Sequence, residues 1–580
     1  MSSNPLTMMP AEEQIYAANK ANAQAATEDY EAILRETECP RKTSEETLLR
    51  ILADNADTEY GRRYGFSSIH SIEEYRKKVP VITYDDIAED LERMLRGEKN
   101  ILTAYPFRHV NQTSGTVGKL KPVPMTDRQA VMFLKYNRRY TDALLYKKLG
   151  EELLHGRTFT PAEGTHTVLP SGLTLGSASS VMAEYVQGGR EQINDMLRTL
   201  YTSPVEASIP APGTDTRYLH ARFALADGNI TSITAGFYSI ILRYFQYIGE
   251  NYEMLIRDIE TGTIDASVEM PEPVRQGVLK KLVPLPERAA ELKRIFRNGS
   301  HFPFVPEIWP KLRLICGIGK AGFSPFDETI KRCFTADKPL NLYSGITASE
   351  GIFSIPVELN REDGVLSTGA GFLEFLPLSA GDDFSQCRTA DELVTGEKYE
   401  IIVTNFSGFY RYRMSDVVEV AGSFNGTPTV VFKYRRNHTV NLCGEKTTEE
   451  ALFLAARKTA VELGFHLSDF TVWPDLKAVP PRYEFFVQPE SEGEVASVTL
   501  KELSAVLEKQ LREANEEYRQ AIWDERIQPL TADFLQEETT FLYRDLLVLK
   551  GAPAGQVKPV RILKTEEQYR FFNALRLEKR

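Results

Sequence analysis

Three short stretches carry residue types suited to holding a nucleotide. The first, "NQTSGTVGKLKPVP" at Asn111–Pro124, sets two threonines, a serine, two glycines and two lysines before a proline-rich exit. Loops rich in glycine and hydroxyls let backbone N–H groups and short O–H donors close around an oxyanion, usually a phosphate. The second, "YSGITASEGIFSIP" at Tyr343–Pro356, puts hydroxyls and a single Glu350 just behind an apolar strand. A carboxylate near phosphates suits magnesium, which takes hard oxygen ligands and bridges substrate phosphates. The third, "SGFYRYRMSDVVEV" at Ser407–Val420, places Asp416 between a basic aromatic strand and an apolar one. An ionised Asp is a pure acceptor and can take both hydroxyls of a ribose.

Two better-known nucleotide patterns fit less well. "GIGKAG", Gly317–Gly322, follows the strand "LRLIC" as a dinucleotide fingerprint would. That fingerprint also needs an acid at the end of the next strand, and "PLNLYSG" ends in Tyr343 and Ser344. "GTVGKLK" has neither the spacing of a Walker loop nor a hydroxyl after its Lys.

The elements that must position these stretches alternate. Residues 11–100 carry apolar residues at helical spacing, and "ITSITAGFYSIILRYFQYIGENYEMLIRDI" reads as a short strand followed by a long helix. "KLRLICGIG", "PLNLYSGI", "YEIIVTNFSGFYRYR" and "TVVFKYRRN" are β-rich runs bounded by Gly, Asn and Pro, so an α/β architecture is expected. After about Asn437 the pattern resets. "RYEFFVQPE" is a strand, and Leu500, Leu503, Leu507, Leu511, Ala514 and Tyr518 form one stripe, predicting a single amphipathic helix on a small sheet.

With 580 residues the chain exceeds the size at which one core stops growing. A net charge of −12 argues against nucleic acid or an anionic membrane as the main partner, because both demand a basic footprint. The five scattered cysteines include no C-x-x-C and indicate neither a zinc cluster nor a disulfide framework. No apolar run is long enough to span a bilayer and the N-terminus lacks a signal pattern, so a cytoplasmic setting is expected.

The three stretches, in this order and spacing, resemble the adenylate-forming superfamily, and within it the auxin-responsive acyl-acid amido synthetases (the GH-three family). "TSGTVGKLKPVP" is similar to that family's phosphate loop, with Lys121 at its terminal Lys; "TASEG" is similar to its Ser-Ser-Glu motif and "YRYRMSD" to its Tyr-Arg-x-Gly-Asp motif. "PSGLTLGSASS", "FKYRRNHTVNLCGEKTTEE" and "GQVKPVRI" extend the resemblance over nearly the whole chain. Two positions depart from the pattern. Ser415 stands where the family has Gly, and Ile346 where it commonly has an aromatic that packs on adenine.

The resemblance implies a large multi-subdomain N-terminal domain of mixed sheets, residues 1–436, and a small mobile α+β C-terminal domain, residues 437–580. It also implies two half-reactions. A carboxylic acid attacks the α-phosphate of ATP, giving acyl-AMP and pyrophosphate; an amino acid or other amine then takes the acyl group, releasing AMP. Thr113, Ser114, Gly115, Thr116 and Lys121 would hold phosphates, Thr347 and Ser349 the α-phosphate region, Glu350 Mg²⁺, and Asp416 the ribose. A hinge would follow Arg435, and Lys446 and Lys558 would reach the phosphates or adenylate from the small domain. Leu173 and Phe237, with Ile241 and Tyr244, are expected to wall the acid pocket, and Arg138 or Arg139 to grip a second carboxylate. The rival acceptor is a thiol such as coenzyme A.

Overall fold

The computed structural model describes residues 10–112, 121–161, 166–176, 198–320, 323–436, 440, 442–443, 445, 447–552 and 557–578. The described residues divide into two compact units, the larger built from those up to 112, 121–414 and 419–431, the smaller from Ser415–Val418 and those from Phe432 onward.

In the larger unit the opening helices begin with Glu12–Glu38 and Pro40–Asp54, as the apolar spacing predicts. Four parallel strands follow in the order Arg157–Phe159, Ile230–Phe237, Leu314–Ile318, Leu340–Tyr343. Ile230–Phe237 runs directly into the helix Tyr238–Thr261, whose face of Ile241, Leu242, Phe245, Ile248, Leu255 and Ile259 is buried. A second sheet of four strands has Phe107–Gln112 inside it, antiparallel to Pro122–Thr126 and parallel to Thr174–Gly176. A third, six-stranded sheet contains Phe372–Pro377, Lys398–Thr404, Tyr412–Phe424 and Thr427–Arg435.

The glycines of "GIGKAG" have a packing role. A Cβ on Gly317 would stand 2.5 Å from the Ala235 carbonyl oxygen, and one on Gly319 would stand 2.7 Å from the Tyr238 ring. Both distances are far inside contact range, so these positions admit no side chain, which accounts for the pattern without a dinucleotide. Gly322 lies outside the described residues.

One buried ion cluster locks the larger unit. Glu374 is 0% exposed and accepts from Arg411 Nε at 2.9 Å and Nη2 at 3.2 Å, and from Arg76 Nε at 2.9 Å. Arg411 also donates to the carbonyls of Arg76 and Val79, tying the helix Ile72–Lys78 to the loop before Tyr412. Removing one partner of such a pair leaves an uncompensated buried charge, typically costing ~3–5 kcal/mol. Glu374→Gln should therefore lower the urea midpoint of the larger unit's unfolding by that amount of stability. An unchanged midpoint would mean that the cluster contributes nothing.

The smaller unit packs the helices Glu449–Leu463 and Leu500–Ala514 on the sheet Leu467–Asp475, Arg482–Pro489, Thr531–Phe534. Leu503, Leu507 and Leu511 enter a core with Leu452, Phe470 and Phe485. The expected single helix through Tyr518 is in fact two. Asn515 has extended backbone (φ −139°, ψ 106°), and its side chain accepts from the Tyr518 N–H, so it ends one helix and caps the next, Glu516–Trp523. Tyr518 keeps its place in the core. None of the five cysteines is in a disulfide.

Candidate active site

Thr113, Ser114, Gly115 and Thr116 lie outside the described residues, as does Lys446. What flanks this stretch is clear. Gln112 ends one strand directly opposite Pro122 at the start of its antiparallel partner, so the two ends of the stretch are neighbours. Lys121 is exposed at the return, its ammonium 5.1 Å from the centroid of the Tyr84 ring.

Glu350 sits on a tight turn. Thr347–Ala348 pairs antiparallel with Gly351–Ile352, Ala348 opposite Gly351, which leaves Ser349 and Glu350 as the connection. The segment crosses another strand so closely that a Cβ on Gly345 would be 2.0 Å from the Ser354 carbonyl oxygen. Two amides hold the turn by its backbone. Asn405 Nδ2 donates to the Glu350 carbonyl at 2.7 Å, and Asn111 Nδ2 to the Ser349 carbonyl at 3.3 Å. Asn405 is itself fixed, its Oδ1 accepting from the N–H groups of Ser407 and Phe409 at 2.9 and 3.1 Å. The Glu350 residue is only 9% exposed.

Among the described residues no three His, Cys, Asp or Glu side chains gather as a metal cage. A carboxylate on a braced turn fits magnesium, which is commonly held by one or two carboxylates plus substrate phosphates. It does not fit zinc, which takes three or four protein ligands.

In the smaller unit Asp416 and Arg435 form a two-pronged pair, Nε to Oδ1 at 2.6 Å and Nη2 to Oδ2 at 3.0 Å. The Asp416 side chain is 5% exposed and that of Arg435 35%. Ser415 takes φ +66°, the left-handed conformation that Gly adopts freely, so the serine keeps the turn its position requires. Arg413, the motif arginine, belongs to the larger unit and pairs with buried Glu400 at 2.7 Å. Asp416→Ala should weaken nucleotide binding at least tenfold, since a charged hydrogen-bonding group is worth ~1.5–3 kcal/mol. The loss of stability should be small, because the partly exposed Arg435 can turn to water. Unchanged affinity in a nucleotide titration would remove Asp416 from the ribose role.

The expected acid-pocket residues each have contacts of their own. Arg138 pairs with Asp142 at 2.7 Å and hydrogen-bonds Tyr201, while Arg139 pairs with Asp29 at 2.8 Å. Both arginines therefore already have a carboxylate partner within the chain. Leu173 is half-buried where Leu169 and Leu173 close the turn into Thr174–Gly176. Phe237 is half-buried and stacks on Phe323, ring centroids 4.9 Å apart. Ile241 and Tyr244 are buried in the core. Lys558 is exposed, three residues before the Arg561–Leu563 segment that bonds to Val472 in the smaller unit. Burial pushes the thiols of Cys316 and Cys387 up to about 12 and about 11, so neither is a thiolate nucleophile at neutral pH.

Residues 29–340 match the GH3 family N-terminal domain, 364–435 its central domain and 450–567 its C-terminal domain. The chain is 28% identical over 573 residues to the putative indole-3-acetic acid-amido synthetase GH3.9 of Arabidopsis thaliana, covering 93% of this chain and 94% of the relative. It is 26% identical over 509 residues to the jasmonoyl–L-amino acid synthetase JAR4 of Nicotiana attenuata, covering 85% and 86%. The solved GH3.15 acyl acid amido synthetase has the same fold, with a TM-score of 0.82 at 21% identity over 95% of this chain and 96% of that one. With all three domains matched in order, the chain belongs to the GH3 family of acyl-acid amido synthetases.

Proposed function

We propose that the protein activates a carboxylic acid with ATP and passes the acyl group to an amino acid. The observation that carries this reading is the match to all three family domains in order, with relatives named as amido synthetases of indole-3-acetic acid and of jasmonate. In the first half-reaction the acid's carboxylate oxygen attacks the α-phosphorus of ATP and the bond to pyrophosphate breaks. In the second, the amine nitrogen attacks the acyl carbon and the bond to AMP breaks.

Attack by one anion on another needs donors and positive charge placed in advance around the phosphates. Thr113, Ser114, Gly115 and Thr116 supply the donors, and Lys121 supplies charge. Thr347 and Ser349 contact the α-phosphate region, and Asp416, oriented by Arg435, takes the ribose hydroxyls. Glu350 is the residue to hold magnesium, which when bound neutralises phosphate charge. Lys446 and Lys558 stabilise the adenylating and transferring states from the C-terminal domain, which moves between them.

The two relatives' acids differ, one an indole acetate and one a jasmonate by name. Arg138 and Arg139 are already paired within the chain. A monocarboxylic acid with an apolar body is therefore the substrate class that the present groups favour. Among the described residues no helix is long and apolar enough to cross a membrane. We place the enzyme in the cytosol, where its five thiols stay reduced and ATP is at hand. A panel of aryl and alkyl carboxylic acids, scored for pyrophosphate release from ATP, tests the reading. Release should appear with a subset of apolar acids, and release with none of a broad panel would overturn it.

A further inference from the structure

Gln129, in the first turn of the helix Asp127–Phe133, is 0% exposed, yet neither Oε1 nor Nε2 meets a hydrogen-bonding partner among the described residues. A buried donor and acceptor left unmet are destabilising, and such groups need an explanation beyond packing. The position of the amide supplies one. A Cβ placed on Gly351, the residue after Glu350, would lie 3.7 Å from Gln129 Nε2, and this helix packs on the strand Gly351–Ile352.

The same turn has other unmet groups around it. Asn111 is 0% exposed, and while its Nδ2 holds the Ser349 carbonyl, its Oδ1 has no partner among the described residues. Ser407 Oγ is likewise buried and unmet, on the loop whose Asn405 holds the Glu350 carbonyl. These groups come from three separate elements, and all are neutral. An amide with both a free donor and a free acceptor suits water better than it suits a bare anion or cation.

Magnesium dehydrates reluctantly and usually keeps several waters when it arrives with a nucleotide. Those waters need acceptors and donors from the protein. Resting on the adenylation reading above, we infer that Gln129, with Asn111, binds the hydration shell of the magnesium carried to Glu350 by ATP. Gln129 is a positioning residue in this account: it touches the cation's water, not the reacting atoms. The stability forgone in the free protein is recovered when the magnesium–nucleotide complex binds.

The test is Gln129→Met, close in shape and without polar atoms. ATP binding is measured by calorimetry across a magnesium titration and again in EDTA, alongside thermal unfolding of the free protein. The inference predicts a raised unfolding midpoint and a 10–100-fold higher magnesium concentration for half-maximal ATP binding, the usual scale for a group that acts through a metal's bound ligands. Affinity for metal-free ATP should not change. Raised stability with an unaltered magnesium requirement would overturn it, leaving Gln129 as a core amide. Should the Met variant not fold, Gln129→Glu decides. An added carboxylate facing the cation's water should lower the half-maximal magnesium concentration, and no change there would equally overturn the inference. If wild-type protein binds ATP without any magnesium dependence, it is the role of Glu350 that fails.

Discussion

Glu350→Gln should leave the protein folded and slow acid-dependent pyrophosphate release by about 10²–10³. The turn is gripped through backbone carbonyls, by Asn405 on Glu350 and Asn111 on Ser349, so exchanging a carboxylate for an amide of the same shape spares those contacts. What is lost is the carboxylate proposed to hold magnesium. Metal stabilisation of phosphate charge in a transition state is worth several kcal/mol. Each ~1.36 kcal/mol is a factor of ten in rate, so losing about 3–4 gives the stated range. Because the defect is one of metal affinity, excess magnesium should restore part of the rate. Normal release at limiting magnesium would show that Glu350 is not the metal residue.

Ser114→Ala and Thr116→Ala should each reduce the same rate by a comparable factor, through a different cause. Both side chains are proposed to donate to phosphate oxygens whose charge grows in the transition state. One pre-organised donor of that kind is typically worth ~2.7–4 kcal/mol, or about 10²–10³ in rate. Lys121→Ala should also slow release, and more steeply at low salt than at high, since an exposed ammonium acts as a screened point charge. If the stretch were only a surface turn, all three substitutions would stay within about 0.5 kcal/mol of wild-type stability and leave turnover unchanged. Three near-wild-type rates would thus remove the phosphate role from "TSGTVGKLK".

Which features could be read in advance follows from their physics. The strand-to-helix step at Phe237–Tyr238 was legible because β-branched alternation gives way to a 3.6-residue apolar period at that point. The second helix around Tyr518 was not legible, since the apolar stripe continues in register across Asn515 and only its cap geometry reveals the break. Glu350 stood out as a single carboxylate behind an apolar strand and Asp416 as one between two β-rich runs, although those runs prove to be one continuous strand, Tyr412–Phe424, with Asp416 inside it. The supports of these carboxylates did not stand out. Asn405 lies 55 residues from the carbonyl it holds and Asn111 238 residues from its own, and a lone amide has no spacing to betray it. Gln129 is harder still, because its significance rests on the side-chain bonds it does not make among the described residues. "GIGKAG" shows the converse: glycines at a suggestive spacing answer to the Tyr238 ring and the Ala235 carbonyl.

One chain is proposed both to adenylate an acid and to form an amide. The direct measurement is mass spectrometry of the products after incubation of the protein with ATP, magnesium, an acid that supports pyrophosphate release, and a mixture of the twenty amino acids, with a parallel reaction containing coenzyme A instead. An acyl–amino acid conjugate together with stoichiometric AMP is expected in the first reaction, and no acyl thioester in the second. A thioester with coenzyme A, and no conjugate with any amino acid, would contradict it.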